Sequence, residues 1–230
     1  AEVLTDGYSL EIFLRTLRVA ALATAICAII GVPEALILSR MRNPWRSVFL
    51  LVVLAPLLVS VVVRAFGWSM LLGPDGVVNM ILQAVGIGRT RLLYTEGTVV
   101  VALVHVMLPF MVIPVWTSLQ KLDPAVEQAA LSFGASRPTT MVRVIAPQIL
   151  PGILSGSLIV FGLSASAFAI PGLLGGRRLK MVATVVYDQY LGELNWPLGA
   201  TVAVILLVAN LIVMLTYHHV VEGQYRKRMG

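Results

Sequence analysis

Asp123-Pro124-Ala125-Val126-Glu127-Gln128-Ala129-Ala130-Leu131-Ser132-Phe133-Gly134-Ala135-Ser136 is a polar interruption between two strongly apolar segments. Its residue order predicts one short helix. Asp123 suits an N-cap, Pro124 the first helical position and Gly134 the residue just past the end. Between them Val126, Ala129, Ala130 and Phe133 recur on one face at helical spacing. Thirteen residues after Gly134 comes Pro147. A capped amphipathic helix between two membrane spans can present a docking surface to a soluble partner.

The flanking sequence supports that setting. The chain is 58% hydrophobic and 12% charged, with a mean hydropathy of +0.91. Water-soluble chains carry roughly 45–50% apolar and about 25% charged residues. A bilayer-crossing helix needs about 20 mostly apolar residues. Five segments qualify: Leu17 to Leu38, Val48 to Leu72, Gly97 to Trp116, Gly152 to Ile170 and Leu198 to Tyr217. The expected fold class is all-α, a polytopic transmembrane helical bundle forming a single domain over residues 1–230.

Charge orients the bundle. Arg40, Arg42 and Arg46 lie between the first two spans, Lys121, Arg137 and Arg143 between the third and fourth, and Arg226, Lys227 and Arg228 end the chain. The other side holds Arg89, Arg91, Arg177, Arg178 and Lys180, among the acids Glu2, Asp6, Glu11, Asp75, Glu96, Asp188 and Glu193. Lysine and arginine accumulate on the cytoplasmic face. The 121–147 segment and the C-terminus are therefore expected inside and the first residue outside. The net charge of +6 thus reports topology, and no basic solvent-exposed face for nucleic acid is evident.

The Gln128–Pro147 run resembles the Glu-Ala-Ala–x3–Gly–x9–Ile-x-Leu-Pro signature of ABC-importer permeases, whose helix couples to the ATPase subunit. In this chain Gln128 stands at the signature glutamate, with Glu127 one place earlier; Val144 and Ala146 precede an intact Pro147. The resemblance extends over nearly the whole chain and is closest to the first permease subunit of the spermidine/putrescine-type branch. Supporting runs are Thr16-Leu17 with Gly31-Val32-Pro33, Arg64-Ala65-Phe66-Gly67-Trp68, Gly76-Val77-Val78-Asn79 and His105-Val106-Met107-Leu108-Pro109-Phe110. Pro171-Gly172-Leu173-Leu174-Gly175-Gly176 and Asn195-Trp196-Pro197 complete the set.

The resemblance implies a type I ABC-importer permease of the bacterial inner membrane, with a sixth, N-terminal span missing from this sequence. It implies an ABC ATPase dimer that carries ATP and Mg, a second and different permease subunit, and an extracytoplasmic solute-binding protein. No cofactor is expected in this chain. The coupling contacts fall on Glu127, Gln128, Ala129, Ala130, Ser132 and Gly134; a carboxylate contact to the ATPase would have to come from Glu127. The implied solute is a polyamine or a related amine or amino-acid-like compound, with opines and aminophosphonates as further members of that range.

Polar groups inside spans are costly in hydrocarbon and are the candidate pathway residues. Arg64 either lines an aqueous path or snorkels and pairs with a neighbouring subunit. His105 either binds a solute group or makes an interhelical hydrogen bond, and Asn210 reads as an interhelical hydrogen-bonding residue. Trp68, Ser164 and Phe168 complete the pathway set. Glu34 is the one acid within the spans and is accounted for by an interfacial pair with nearby Arg40. Gly152 and Gly156, four residues apart, form a small-xxx-small packing face. The 179–191 stretch reads as an interfacial helix at the outer mouth, with Tyr187, Asp188, Tyr190 and Glu193 around its end.

Enzyme readings lack their parts. The chain has no Gly-x-x-x-x-Gly-Lys-Ser/Thr phosphate loop and no His-Glu-x-x-His zinc motif. Ser155 or Ser164 with His105 would need a positioned base and an oxyanion site to form a nucleophile. Lone Cys27 excludes an intrachain disulfide and reads as a small core residue. The competing reading is a secondary carrier or channel with no ATPase, although no internal repeat marks an inverted-repeat carrier.

Overall fold

The computed structural model describes the backbone of residues 7–176 and 179–229, and side chains within those ranges as far as residue 217. The charged side chains of Glu2, Asp6, Arg177, Arg178, Arg226, Lys227 and Arg228 lie outside the described set. Every regular element among the described residues is helical: α1 Gly7–Arg40, α2 Trp45–Leu58, α3 Val61–Leu72, α4 Val77–Ala84, α5 Glu96–Gln120, α6 Pro124–Ser132, α7 Arg137–Thr140, α8 Ala146–Ala165, α9 Ala169–Leu174, α10 Val182–Tyr187 and α11 Trp196–Met229. Two π-helical turns, Met141–Ile145 and Asp188–Gly192, follow α7 and α10.

Among the described residues five stretches are long and apolar enough to cross a bilayer: Gly7–Arg40, Val61–Ala84, Glu96–Gln120, Arg137–Ala165 and Trp196–Tyr217. The second departs from the sequence expectation. The run expected as one span over 48–72 is two helices, broken at Val59 and Ser60. Pro56 lies in the last turn of α2 and has no N–H to donate, and Val59 turns extended at φ −100° and ψ 137°. Past α3 a second turn at Gly73–Gly76 is tied by buried Asn79. Its Nδ2 donates to Gly73 O (2.9 Å), and its Oδ1 accepts from Thr90 N (3.0 Å).

The packing resolves into two compact units. One takes Leu22–Ser60 and Leu103–Phe161; the other takes the described residues up to Ala21, Val61–Ala102 and those from Gly162 onward. In the first unit α5 is the element against which the others close. Leu103, Val104, Val106, Met107, Met111, Val112 and Val115 are all buried. Buried Ala23, Cys27, Gly31 and Ala35 recur every four residues on α1. A Cβ on Gly31 would sit 2.9 Å from Met111 Cγ, and Cys27 Sγ lies 3.7 Å from Val104 O. From the other flank Gly152 and Gly156 of α8 meet α5. Their Cβ positions would fall 2.6 Å from Pro114 O and 2.9 Å from Met111 Sδ. The small-residue pair does pack, as the sequence suggests, because lipid supplies no hydrophobic drive and close backbone approach must supply dispersion instead.

The second unit is built around a buried cluster of Ile12, Val182, Val202 and Leu206. Thr16 locks its α1 segment to α10: the hydroxyl donates to Ile12 O (2.8 Å) and accepts from Val182 N (3.0 Å). Arg18 pairs with Glu96 in the first turn of α5, its Nε 2.9 Å from Oε1. Helix α9 packs on α3, and α10 packs on α11.

Candidate functional site

Helix α6 forms where its caps predict. Asp123 Oδ1 accepts from Ala125 N at 2.8 Å, and Pro124 occupies the first helical position, where no N–H is required. At the other end Gly134 adopts φ +83°, with Gly134 N bonded to Leu131 O (3.0 Å) and Ala135 N to Ala130 O (3.1 Å). This pair of bonds is the Schellman closure, and it consumes carbonyls that the last turn leaves free. A Cβ on Gly134 would meet nothing within 4 Å, so the glycine is required for its backbone conformation and not for space within this chain.

No residue of α6 is buried. Glu127 and Ala130 are half-buried, whereas Gln128, Ala129 and Ser132 are exposed and Phe133 is 92% exposed. The apolar stripe read from the sequence is therefore not fully buried by its own chain. Glu127 and Gln128 are one residue, about 100° of helix rotation, apart. Glu127 Oε1 takes Arg40 Nη2 at 3.1 Å, while Gln128 stays outward. This corrects the expected Glu34–Arg40 pair: Arg40 turns to α6, and Glu34 Oε2 is buried without a hydrogen-bond partner among the described residues. Behind the pair lies a cleft of about 200 Å³ walled by Leu36, Leu119, Leu122, Val126 and Val144.

The expected pathway residues divide. Arg64 lies half-buried on α3, its Nε and Nη1 buried without hydrogen-bond partners among the described residues. Trp68, also half-buried, is one turn further along the same helix face. Phe168 precedes α9 and stacks on Tyr187, ring centroids 5.3 Å apart and planes 14° from parallel. Ser164 has no accessible surface and its Oγ has no hydrogen-bond partner among the described residues, so it is covered by its own chain in this structure. His105 is exposed on α5, in the other unit. Ser155 donates to Pro151 O (2.8 Å) within its own helix, as a packing serine does and an activated nucleophile does not. Asn210, expected to bridge helices, has a buried Oδ1 with no partner among the described residues.

A second concavity, about 760 Å³, has Tyr8, Tyr94, Gly176, Lys180, Asp188 and Glu193 in its wall. Lys180 Nζ meets Asp188 Oδ2 at 2.7 Å. That hydrogen bond holds the ammonium pKa above the ordinary lysine value, against the opposing effect of partial burial. The Lys180 ammonium therefore stays charged through neutral pH. Tyr94 carries φ +64°, donates its N–H to Leu174 O (3.1 Å) and lays its ring over Gly176, where a Cβ would come within 2.8 Å. Sequence reasoning marked Asp188 and Glu193 but missed Lys180 and Tyr94 as wall residues. Gly176 of the Pro171–Gly176 run was the available signal of a close approach, without naming the ring that makes it.

The comparisons with known proteins agree with this geometry. The family model described as binding-protein-dependent transport system inner membrane component matches residues 27–224. The spermidine/putrescine transport system permease protein PotB of Escherichia coli K12 is 32% identical over 216 residues, covering 93% of this chain and 78% of the relative. PotB of Haemophilus influenzae is 32% identical over 210 residues, covering 90% of this chain and 73% of the relative. Among solved structures, a bacterial ABC transporter involved in import of the acidic polysaccharide alginate superposes with a TM-score of 0.84 at 20% identity, covering 100% of this chain and 82% of that one. Such a likeness establishes shared fold. Together with the five apolar stretches and the capped α6, these matches place the chain in the family of binding-protein-dependent transport system inner membrane components, the membrane-spanning permease subunits of ABC importers.

Proposed function

We propose that this chain forms one wall of the solute path of an ATP-driven importer and that α6 is the element its ATPase grips. One observation carries the reading: a helix capped at both ends, with none of its residues buried, stands between two apolar stretches. A helix that spends hydrogen bonds on its shape and buries nothing in its own chain is built for an outside partner. The solute arrives from an extracytoplasmic binding protein, and a second, different permease chain closes the path. ATP and Mg are bound by the ATPase dimer; its closure moves α6 and switches access from one face to the other. Residues 121–147 and the C-terminus lie in the cytoplasm of a bacterial cell, following the arginine and lysine distribution. Glu127, Gln128, Ala129, Ala130, Ser132 and Gly134 make up the coupling segment.

The solute is a small amine or amino-acid-like compound, a reading supported by similarity to spermidine/putrescine permeases. Arg64 and Trp68 are the side chains of α3 assigned to the path. An unpaired arginine costs at least roughly 2.5–3.5 kcal/mol near the bilayer centre, which argues for protein or water around its unpartnered donors. His105, Ser164 and Phe168 are the further side chains assigned to the path.

Single cysteines at Ala129 or Ser132 should crosslink to the ATPase in the assembled transporter. Absence of crosslinks from an active, intact complex overturns the docking assignment. Arg64→Leu should insert and assemble as the parent does while transporting less. Normal uptake by that variant returns Arg64 to an interfacial snorkelling charge.

A further inference from the structure

We infer that Arg40 is a positioning residue that yokes α6 to the end of the first long helix through Glu127, so that movement of the docking helix is delivered to α1. The inference rests on the reading of α6 as the ATPase-docking element. Arg40 is the last residue of α1, and Glu127 lies in the first turn of α6, 87 positions away. The C-terminal end of a helix carries partial negative charge and favours a cation; the N-terminal end favours an anion. Each partner of the 3.1 Å pair therefore sits at the helix end that stabilises it, and the pair joins two oppositely signed termini.

Packing alone leaves this link undone. The strongest backbone contacts of α6 run forward to α7 and the Met141–Ile145 turn, and so toward the helix that follows in the chain. Toward α1 there is instead the cleft of about 200 Å³, bridged by the Arg40–Glu127 pair. Both side chains keep about half their surface, 53% for Arg40 and 43% for Glu127. A pair this exposed contributes little to folding. Its loss should therefore alter how α6 and α1 move together before it alters whether they fold. The register of the acid fits this use. With Gln128 at the outward position and Glu127 turned to Arg40, the carboxylate of this segment is committed within the chain. Arg42, exposed two residues on, has no ion pair among the described residues and serves as the control.

The test uses the complete transporter with its ATPase, spin-labelled at cysteines replacing Ala129 on α6 and Ile37 on α1, both exposed. The label-to-label distance is compared without nucleotide and with Mg, ADP and vanadate. In the parent and in Arg42→Gln the distance should stay the same in both states. In Arg40→Gln and in Glu127→Gln it should shift between states, and the swapped pair Arg40→Glu with Glu127→Arg should reduce that shift, short of full constancy because each charge then sits at the helix end that disfavours it. A role confined to folding would leave the distance the same in both states in every variant that assembles. A parent distance that itself shifts between states, single variants that behave as the parent, or a swap that fails to rescue in a complex that still assembles would each overturn the yoke. Crosslinking from Ser132→Cys to the ATPase in the same preparations separates the two readings. If the parent gives no crosslink the docking assignment fails, whatever the spin distances report.

Discussion

Helices α5 and α6 follow one another with three residues between them and are held in opposite ways. α5 is fixed from outside, with α1 and α8 pressed against Met111, Val112 and Pro114 through glycines that leave no room for a side chain. α6 is fixed from within, by an N-cap bond, a Schellman closure and one half-exposed ion pair, with no buried residue. An apolar helix gains its place by tertiary packing; a helix kept free for a partner must gain its shape from its own ends. The contrast predicts where substitutions will act. Damage in α5 should be read in folding, and damage in α6 in assembly.

The largest effect should come from Gly152→Leu. Its Cβ would fall 2.4 Å from Ser118 Oγ and 2.6 Å from the Pro114 carbonyl, and the carbonyl cannot swing away. Overpacking costs about 1–3 kcal/mol, with the upper end expected against backbone. The readout is a lower melting temperature in detergent and loss of monodisperse protein. A variant as stable as the parent breaks the claim that the α5–α8 seam is steric. Gly134→Asp comes next. A left-handed backbone costs a residue bearing a Cβ about 1–2 kcal/mol, yet nothing in this chain crowds the position. The permease should insert normally while ATPase copurification and coupled uptake fall; normal uptake removes Gly134 from the coupling segment. Asp123→Ala should be the mildest, about 1 kcal/mol for a lost cap. Amide exchange in residues 124–127 should quicken with α5 unaffected, and Asp123→Asn should restore protection. If α5 exchanges faster as well, α6 is not independently capped and the contrast loses its sharpness.

Much of this molecule was legible in residue order. The bounds of α6 were readable from Asp123, Pro124 and Gly134, because a cap involves only neighbours within one turn. The small pair Gly152 and Gly156 announced a packing face, though not the helix it would meet. The apolar run 48–72 read as one span because hydropathy averages over residues and does not register the effect of Pro56 on its turn. A serine within a span is visible in residue order, whereas the coverage of Ser164 by the rest of its chain is not.

The sequence by itself determined an all-α membrane chain, four of its five apolar spans by length and composition, and the self-capped helix between the third and fourth. These follow from local chemistry: the apolar length a bilayer demands and the hydrogen bonds that a helix terminus lacks. Only the tertiary structure decided that Arg40 pairs with Glu127 and not with Glu34 six residues away on its own helix. It alone set Tyr94 and Lys180 in the wall of one cavity and left two Arg64 donors without a partner among the described residues. An ion pair or a cavity depends on which helices meet in space. The order of residues along each helix names the candidates, and the crossing of helices selects among them.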